Sequence, residues 1–338
     1  MISKNKEIKK TINIVLKIGI SAGSLMYLGY LLGVEKVSLW KQIQTYFNTT
    51  SIDVFPLFVV VLLMLINWGA EIIKWHKLAN YLMPSSLALA TKSTLAGVAA
   101  SVFTPFRVGS YIGKAALFPH KYRAKGLILQ LYNAMAMFLV NFFFGLFFLG
   151  VLGGFSKEAI FGIHPAFLSI LGFTGAGIVL VFWVLFVKVK GLLPFFDRWK
   201  LTKKWRKYFE LVDDENYTNL SIQLIGISIM RYLAITLQYV LAYKVFGVGT
   251  AYWQTFVAAG ILFLIFQFFP VFNALEFGVT RTTILSLIFT TFGVVLQVSP
   301  QMTLSITMAS FFIWFINLVI PSVAGSIFLG QVKMLKEA

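Results

Sequence analysis

Two short stretches place basic side chains where an otherwise apolar chain interrupts its helices. The first, TPFRVGSYIGKAALF at residues 104–118, contains Pro105, which cannot donate a backbone hydrogen bond and disfavours helix at the preceding residue. A second helix is predicted to begin around 108–112, with Arg107 beside its amino end and Lys114 about one turn inside it. Because a helix amino end attracts anions, this pattern predicts a phosphate-binding pocket. The alternative is that both side chains only extend to the inner lipid headgroups.

The second stretch, FPVFNALEFGVTR at residues 269–281, repeats the pattern. Glu276 and Arg281 follow a proline break and are five positions apart, about 140° around a helix, so they need not pair with each other. We expect them to line the same path as the first pair, and the alternative is a mutually neutralised structural cluster. In both stretches proline and glycine are predicted to shape the loop: Pro105, Gly109, Pro270 and Gly278.

A fifth candidate, Arg231, lies near the middle of the apolar run 221–246. An arginine at the centre of a membrane span costs about 2.5–3.5 kcal/mol on insertion scales, so its presence needs a reason. One interpretation is a buried ion pair with Glu71 or Glu276. The other is a cation that faces a cavity through which an anionic headgroup passes.

The residue types needed for catalysis do not converge in this sequence. Cysteine is absent, which excludes disulfides, thiolate nucleophiles and thiolate-bound metals, and the three histidines share no metal-ligand spacing. Outside the membrane interior the acidic residues at 213–215 form the only acidic group, and they resemble a solvated turn. We therefore expect no enzyme activity, no metal and no cofactor. A glycine-rich ATP-binding motif with its lysine is also absent, so transport would run downhill or on an ion gradient.

Composition indicates the elements that position these residues. Of 338 residues, 59% are hydrophobic and only 12% are charged, and the mean hydropathy is +0.83. Soluble domains carry about 25% charged residues, so the chain is predicted to be an integral membrane protein. The net charge of +17 fits lysine-rich cytoplasmic loops and anionic lipid better than nucleic acid, which we do not expect as a partner.

The apolar runs predict an all-α polytopic membrane protein with about six full spans and two re-entrant or broken-helix regions. The N-terminal run is too long for the apolar part of a signal peptide, about 7–15 residues, so it counts as a span. The predicted spans are 12–33, 54–73, 127–152, 165–187, 221–246 and 303–328. The broken regions are 87–118 and 252–297.

Charge distribution orients these elements. If the region 87–118 dips into the membrane and returns, 22 of the 29 Lys and Arg residues face the cytoplasm or the inner mouth and only three face outside. Such an imbalance is what the positive-inside rule expects, so this region is predicted to be re-entrant. The protein is then a multi-pass protein of the cell membrane with both termini in the cytoplasm.

The second region, 252–297, could form either a hairpin or two crossings. A hairpin would make the two halves, 1–153 and 165–330, equivalent but opposite in orientation, which is the inverted-topology repeat of many transporters. We therefore predict one membrane domain over 1–338, with a cytoplasmic loop at 188–220 that forms an amphipathic helix and linker.

The two broken stretches resemble the signature loops of the flippase-like membrane family, which includes the membrane domain of bacterial lysylphosphatidylglycerol synthases. Pro105, Arg107, Gly109 and Lys114 match the first loop, in which Ser110 replaces an acidic residue. Pro270 and Gly278 match the second loop, in which Ala274 and Leu275 replace glycines and Arg281 replaces glutamate. The resemblance covers most of the chain, without the synthase domain of the fused relatives.

This resemblance implies a flippase: a protein that moves a phospholipid, aminoacylated or not, or a polyprenyl-phosphate-linked lipid between leaflets. Its partners would be membrane lipids with anionic or zwitterionic headgroups, and a homo-oligomer is one expected assembly. The competing hypothesis is a secondary transporter of an ion or a small anionic solute. A structural or regulatory membrane protein is a third. The residues expected to bind substrate are Arg107, Lys114, Arg231, Glu276 and Arg281.

Overall fold

The computed structural model describes residues 53–102, 104, 107–156, 159, 163–188, 216–268, 284–285, 288–290 and 300–330. The elements of this part of the chain are helices, in the order α1 (Val54–Leu82), α2 (Leu87–Ser101), α3 (Val108–Ala116), α4 (His120–Phe155), α5 (Pro165–Val187), α6 (Tyr217–Val245), α7 (Tyr252–Phe268), α8 (Pro300–Trp314), a π-helical turn (Phe315–Val319) and α9 (Ile320–Leu329).

Five of these helical segments are long and apolar enough to cross a membrane. They are α1, α4, α5, α6 and the continuous stretch Met302–Leu329, and they confirm five of the six predicted spans as long apolar helices. The predicted span 12–33 lies outside the described residues.

Two helices are longer than predicted. The sequence indicates an end for the second span at residue 73, but α1 continues to Leu82 and buries Lys74 completely. The predicted end was wrong because the ammonium group of Lys74 is satisfied inside the protein, where it donates to Ser228. Helix α4 likewise begins at His120 rather than at residue 127.

Side-chain caps set several helix starts. The carboxylate of Asp53 accepts a hydrogen bond from the backbone N–H of Phe55 at the start of α1, and the Ser86 hydroxyl accepts from Leu89 at the start of α2. Helix α5 begins with Pro165, whose missing N–H costs nothing at the first position.

Helices α2 and α3 form a tight antiparallel hairpin within the predicted broken region 87–118. A Cβ atom added to Gly113 would lie 2.8 Å from the Cα of Gly97, and one added to Gly109 would lie 2.6 Å from the carbonyl carbon of Ala100. With 15 and 9 residues, each helix is too short to cross a hydrocarbon layer of about 30 Å alone. The tip of the hairpin packs Val102 against a small apolar cluster beside Trp68, midway along α1.

The long helices pack around α1 and α6, which are antiparallel. The carbonyl of Val60 accepts a hydrogen bond from Gln238, while Lys74, further along α1, donates to Ser228, nearer the start of α6.

Helices α4 and α5 approach closely at a glycine pair, since a Cβ on Gly172 would lie 2.6 Å from the Cα of Gly150.

The last helix also packs closely on the hairpin. A Cβ added to Gly325 of α9 would lie 2.5 Å from the carbonyl carbon of Leu95 on α2. In the same way α4 packs on α7, because a Cβ on Gly145 would lie 3.2 Å from the Cγ of Leu264. The hairpin and α7 are therefore each held by a long helical segment from the other half of the chain, the stretch Met302–Leu329 and α4 respectively.

A π-helical turn interrupts the segment 300–329. Pro321 has no N–H to donate to the carbonyl of Asn317 four residues earlier, so the regular hydrogen-bond ladder cannot continue there. Such turns often lie at functional sites. Here the turn places Asn317 toward α1 and α6, where its side chain hydrogen-bonds to Gln238.

Apolar surface faces outward over most of the bundle. Helix α5 has the largest exposed share, with Ile170 64% and Val181 58% exposed, whereas large aromatic side chains such as Trp75 and Tyr239 are buried at the centre. An apolar exterior around a core that contains polar groups fits a bilayer environment. The predicted amphipathic helix in 188–220 and most of the second broken region lie outside the described residues.

Candidate functional site

Two cationic side chains meet at one buried carboxylate on α1. Glu71 is only 6% exposed, and its two oxygens accept from different cations, Oε1 from Lys114 of α3 and Oε2 from Arg231 of α6. Both contacts are salt bridges, and Glu71 lies in the middle part of its helix. Of the two acidic partners expected for Arg231, the structure pairs it with Glu71, while Glu276 lies outside the described residues.

Amide side chains extend this ion cluster along the bundle. On one side the Asn133 amide donates to Glu71 Oε1 at 2.9 Å, and Lys114 donates to Gln130 Oε1 at 3.2 Å. On the other side Arg231 Nε donates to Asn67 Oδ1 at 3.1 Å.

The chain of amides then continues toward the far side of the bundle. Asn67 donates to Asn317 Oδ1 at 3.2 Å, Asn317 donates to Gln238 Oε1 at 3.2 Å, and Gln238 donates to the Val60 carbonyl at 2.9 Å. One connected polar network therefore joins α1, α3, α4, α6 and the π-helical turn. Buried polar networks of this kind are costly unless they are satisfied, so they fix the relative positions of these elements.

A cavity of about 650 Å³ opens beside this network. Its polar wall contains Arg107, Lys114, Arg231 and Glu71, together with Asn317. The lining also includes apolar side chains from successive turns of α4, among them Leu131, Met135 and Phe138. These three side chains are 59%, 49% and 40% exposed, so one rim of the cavity consists of the outward-facing apolar surface of α4.

Three predicted binding residues, Arg107, Lys114 and Arg231, thus line one cavity although more than 120 positions of chain separate the first from the last. The structure decides between the two alternatives for Lys114. It lies beside Glu71, partway along α1, and at 3% exposed it does not extend outward to headgroups. It occupies the last turn of the nine-residue α3, somewhat further from the amino end than the one turn predicted.

Arg107 occupies the turn that opens α3. The helix starts at Val108, within the predicted 108–112, and Arg107 has the left-handed backbone conformation with φ 57°. Among the described residues it is the only non-glycine with positive φ, a conformation that costs about 1–3 kcal/mol and often occurs at binding sites. Gly109 donates its N–H to the Thr104 hydroxyl at 2.7 Å, which closes the turn.

Several predicted residues cannot be placed in this site. Pro105, Pro270, Glu276, Gly278 and Arg281 lie outside the described residues. Their roles, and the binding roles of the cavity residues, stay predictions.

The sequence interpretation missed a polar stripe on α1. Asn67, Glu71 and Lys74 recur at intervals of four and three residues in an apolar helix, which places them on one face. That spacing is a signal of a buried polar face, and it was available from sequence. In contrast, Asn317 gave no such signal because no other amide or charged residue lies in the stretch 302–329.

Within the described residues, no group of three or more His, Asp or Glu side chains could hold a metal ion. The arrangement instead offers cations, amide donors and apolar surface. It can therefore bind an anionic group and shelter it from hydrocarbon, with no need for covalent chemistry.

No family model, curated protein or solved structure matches this chain. The resemblance to the flippase-like family therefore rests on the two sequence stretches, of which the structure describes most of the first.

Proposed function

We propose that this protein moves a lipid with an anionic or zwitterionic headgroup between the leaflets of the cell membrane. The observation that carries the proposal is the cavity itself, whose lining combines three cationic side chains with an apolar rim on α4. A lipid needs this combination, because its headgroup must be sheltered while its tails remain in the bilayer. A water-soluble anion has no apolar part that would contact the exposed apolar rim.

The electrostatics of the site support an anionic ligand. Lys114 and Arg231 share one carboxylate, and Arg107 lines the same cavity, so cations outnumber carboxylates among the described lining residues. Arg231 uses one N–H of Nη1 and its Nε–H in the network, which leaves further guanidinium donors for a ligand. A phosphate group is well suited to such planar, charged donors.

We further propose that the fold is an inverted-topology repeat with six spans. Helices α1 and α6 both have 29 residues, run antiparallel, and are each followed closely by a shorter helix. A long segment of each half packs on a short helix of the other: α4 packs on α7, and the stretch Met302–Leu329 packs through α9 on α2. This reciprocal packing is what a two-fold axis between α1 and α6 would produce.

In this proposal the α2–α3 hairpin is re-entrant. Its tip packs at the level of Trp68, midway along α1, and the chain then returns to the half of the bundle where α4 begins. That half carries Lys121, Arg123 and Lys125, so it would face the cytoplasm.

The decisive experiment reconstitutes the purified protein in liposomes that contain labelled lipids, including phosphatidylglycerol, aminoacylated phosphatidylglycerol and a polyprenyl phosphate. Leaflet exchange is measured with and without a proton or sodium gradient. We expect exchange above empty liposomes for at least one of these lipids. Absence of exchange for all of them, with uptake of a labelled soluble anion instead, would favour the secondary transporter of small anionic solutes.

A pair of matched variants links the activity to the cavity. Lys114→Met removes a cation that lines the cavity and is expected to slow exchange at least tenfold. Lys92→Met removes a lysine of α2 that lies over the Phe328 ring and does not line the cavity, so it should leave exchange unchanged. Equal rates for the two variants would keep the function but refute this site.

A further inference from the structure

Lys74 is a buried cation outside the cavity, so binding of a ligand in the cavity does not explain its presence. Lys74 is fully buried between α1, α4 and α6, and it does not line the cavity. Its ammonium group donates to the Ser228 hydroxyl at 2.7 Å and to the Asn133 carbonyl at 3.3 Å. Among the described residues Lys74 forms no salt bridge, although a buried ammonium group without a carboxylate partner is expensive.

The nearest suitable carboxylate is one helical turn away. Glu71 and Lys74 are three positions apart on α1, so their side chains lie on the same face of the helix. Both also contact Asn133, whose side-chain amide donates to Glu71 while its backbone carbonyl accepts from Lys74. A rotation of the Glu71 side chain would therefore bring it toward Lys74 without movement of the backbone.

Any anion that enters the cavity meets a competitor. The Glu71 carboxylate already occupies the donors of Lys114 and Arg231 that face it. Although Arg231 has further N–H donors, a phosphate group that binds against both cations competes with this carboxylate for their charge. A displaced carboxylate left buried without a cation would be costly.

We propose that Glu71 is an exchangeable internal anion and that Lys74 is the cation that receives it when a substrate phosphate takes its place on Lys114 and Arg231. This inference rests on the proposed function for the identity of the substrate, a phosphate-bearing headgroup. It concerns how the Glu71 carboxylate leaves the two cations and returns to them. Lys74 is a positioning residue, because it acts through Glu71 and does not touch the substrate. When the phosphate leaves, Glu71 returns to the two cations and restores the empty site.

The proposal predicts effects of opposite sign for the two residues. Glu71→Gln removes the competing charge, so phosphate should bind about tenfold more tightly, which is the size of one charge-assisted hydrogen bond. Lys74→Met removes the receiving cation, so phosphate should bind about tenfold more weakly. In the Glu71→Gln background, Lys74→Met should have no further effect, because no displaced carboxylate needs a partner.

The test is isothermal titration calorimetry of the purified full chain in detergent. Inorganic phosphate is one titrant and dihexanoyl phosphatidylglycerol is the other, which distinguishes a free phosphate from a lipid headgroup as the ligand. Lys77→Met serves as the matched control, since Lys77 lies on the same helix and does not line the cavity. We expect the same order of affinities for both titrants: Glu71→Gln above the wild type, the double variant equal to Glu71→Gln, and Lys74→Met below the wild type.

Three results would overturn the proposal. The first is weaker binding by Glu71→Gln, which would make Glu71 a ligand or a structural group. The second is wild-type affinity in Lys74→Met, and the third is the same loss from Lys74→Met in both backgrounds. If Lys74→Met does not fold, Lys74→Gln is measured instead, since it keeps a hydrogen-bond donor without the charge.

This outcome is separable from that of the proposed function. Leaflet exchange by the wild type with no dependence of phosphate affinity on Lys74 would keep the flippase and discard the exchangeable carboxylate. The expected order of affinities without any leaflet exchange would do the reverse.

Discussion

Because the backbones of α2 and α3 are in contact at Gly109, a larger residue at this position should destabilise the protein. A Cβ atom at this position would lie 2.6 Å from the carbonyl carbon of Ala100 and 2.7 Å from the Thr104 hydroxyl oxygen, whereas ordinary contacts begin at 3.4 Å. The Ala100 carbonyl oxygen would lie closer still, so Gly109→Ala must separate the two helices by more than 0.8 Å, the difference between 3.4 and 2.6 Å. The clashing atoms belong mainly to rigid backbone. Overpacking of this kind costs about 1–3 kcal/mol.

The same displacement should reach the ion cluster, because Lys114 lies five residues further along α3 and bonds to Glu71 on a different helix. We expect Gly109→Ala to lower the free energy of unfolding by about 1–3 kcal/mol and also to slow lipid exchange. The free energy is measured by denaturant titration of the protein in detergent micelles, followed by circular dichroism, and the exchange rate is measured in liposomes.

Gly69→Ala is the matched control, since a Cβ there meets no atom within 4 Å and the residue lies inside helix α1. Replacement of a helical glycine by alanine should raise the free energy of unfolding by about 0.5–1 kcal/mol. Opposite signs for the two substitutions would support the close packing of the hairpin. A Gly109→Ala protein as stable as the wild type would refute it.

Three further predictions address the ion cluster, the last helix and the topology. Glu71→Leu leaves two cations without their carboxylate and should lower the free energy of unfolding by about 3–5 kcal/mol. Arg231→Met should lower it less, because Glu71 keeps its second cation. Equal losses for the two variants in the denaturant titration would contradict the shared carboxylate. Gly325→Ala should destabilise the protein by about 1–3 kcal/mol, because its Cβ would lie 2.5 Å from a backbone carbon of α2, and unchanged stability would show that α9 sits further from the hairpin. Single cysteines in this cysteine-free chain should be shielded from an impermeant thiol reagent in intact cells at Lys121 but labelled at Lys157, and labelling at Lys121 would refute the re-entrant hairpin.

The sequence by itself determined the all-helical class and the positions of five long apolar helices. The physical reason is local: a run of about 20 apolar residues satisfies its backbone internally and its side chains in lipid, so length and composition suffice to locate it. It also located the break near Arg107, since a proline disfavours the helix that precedes it whatever the tertiary surroundings. The polar stripe of Asn67, Glu71 and Lys74 was equally readable, because it depends only on helical periodicity.

Only the tertiary structure decided which charges meet. Lys114, Arg231 and Glu71 come from three helices that are distant in sequence, and no local rule states which buried cation reaches which carboxylate. The sequence left two alternatives for Lys114 for the same reason: a lysine near a helix end can extend to the headgroups or turn inward, and the choice depends on whether a partner lies inside. Asn317 belongs to the network because it lies in a π-helical turn and hydrogen-bonds to Gln238 on another helix. Apolar surface and backbone hydrogen bonds thus specify where the helices are, while the pairing of the charges between them depends on how those helices pack.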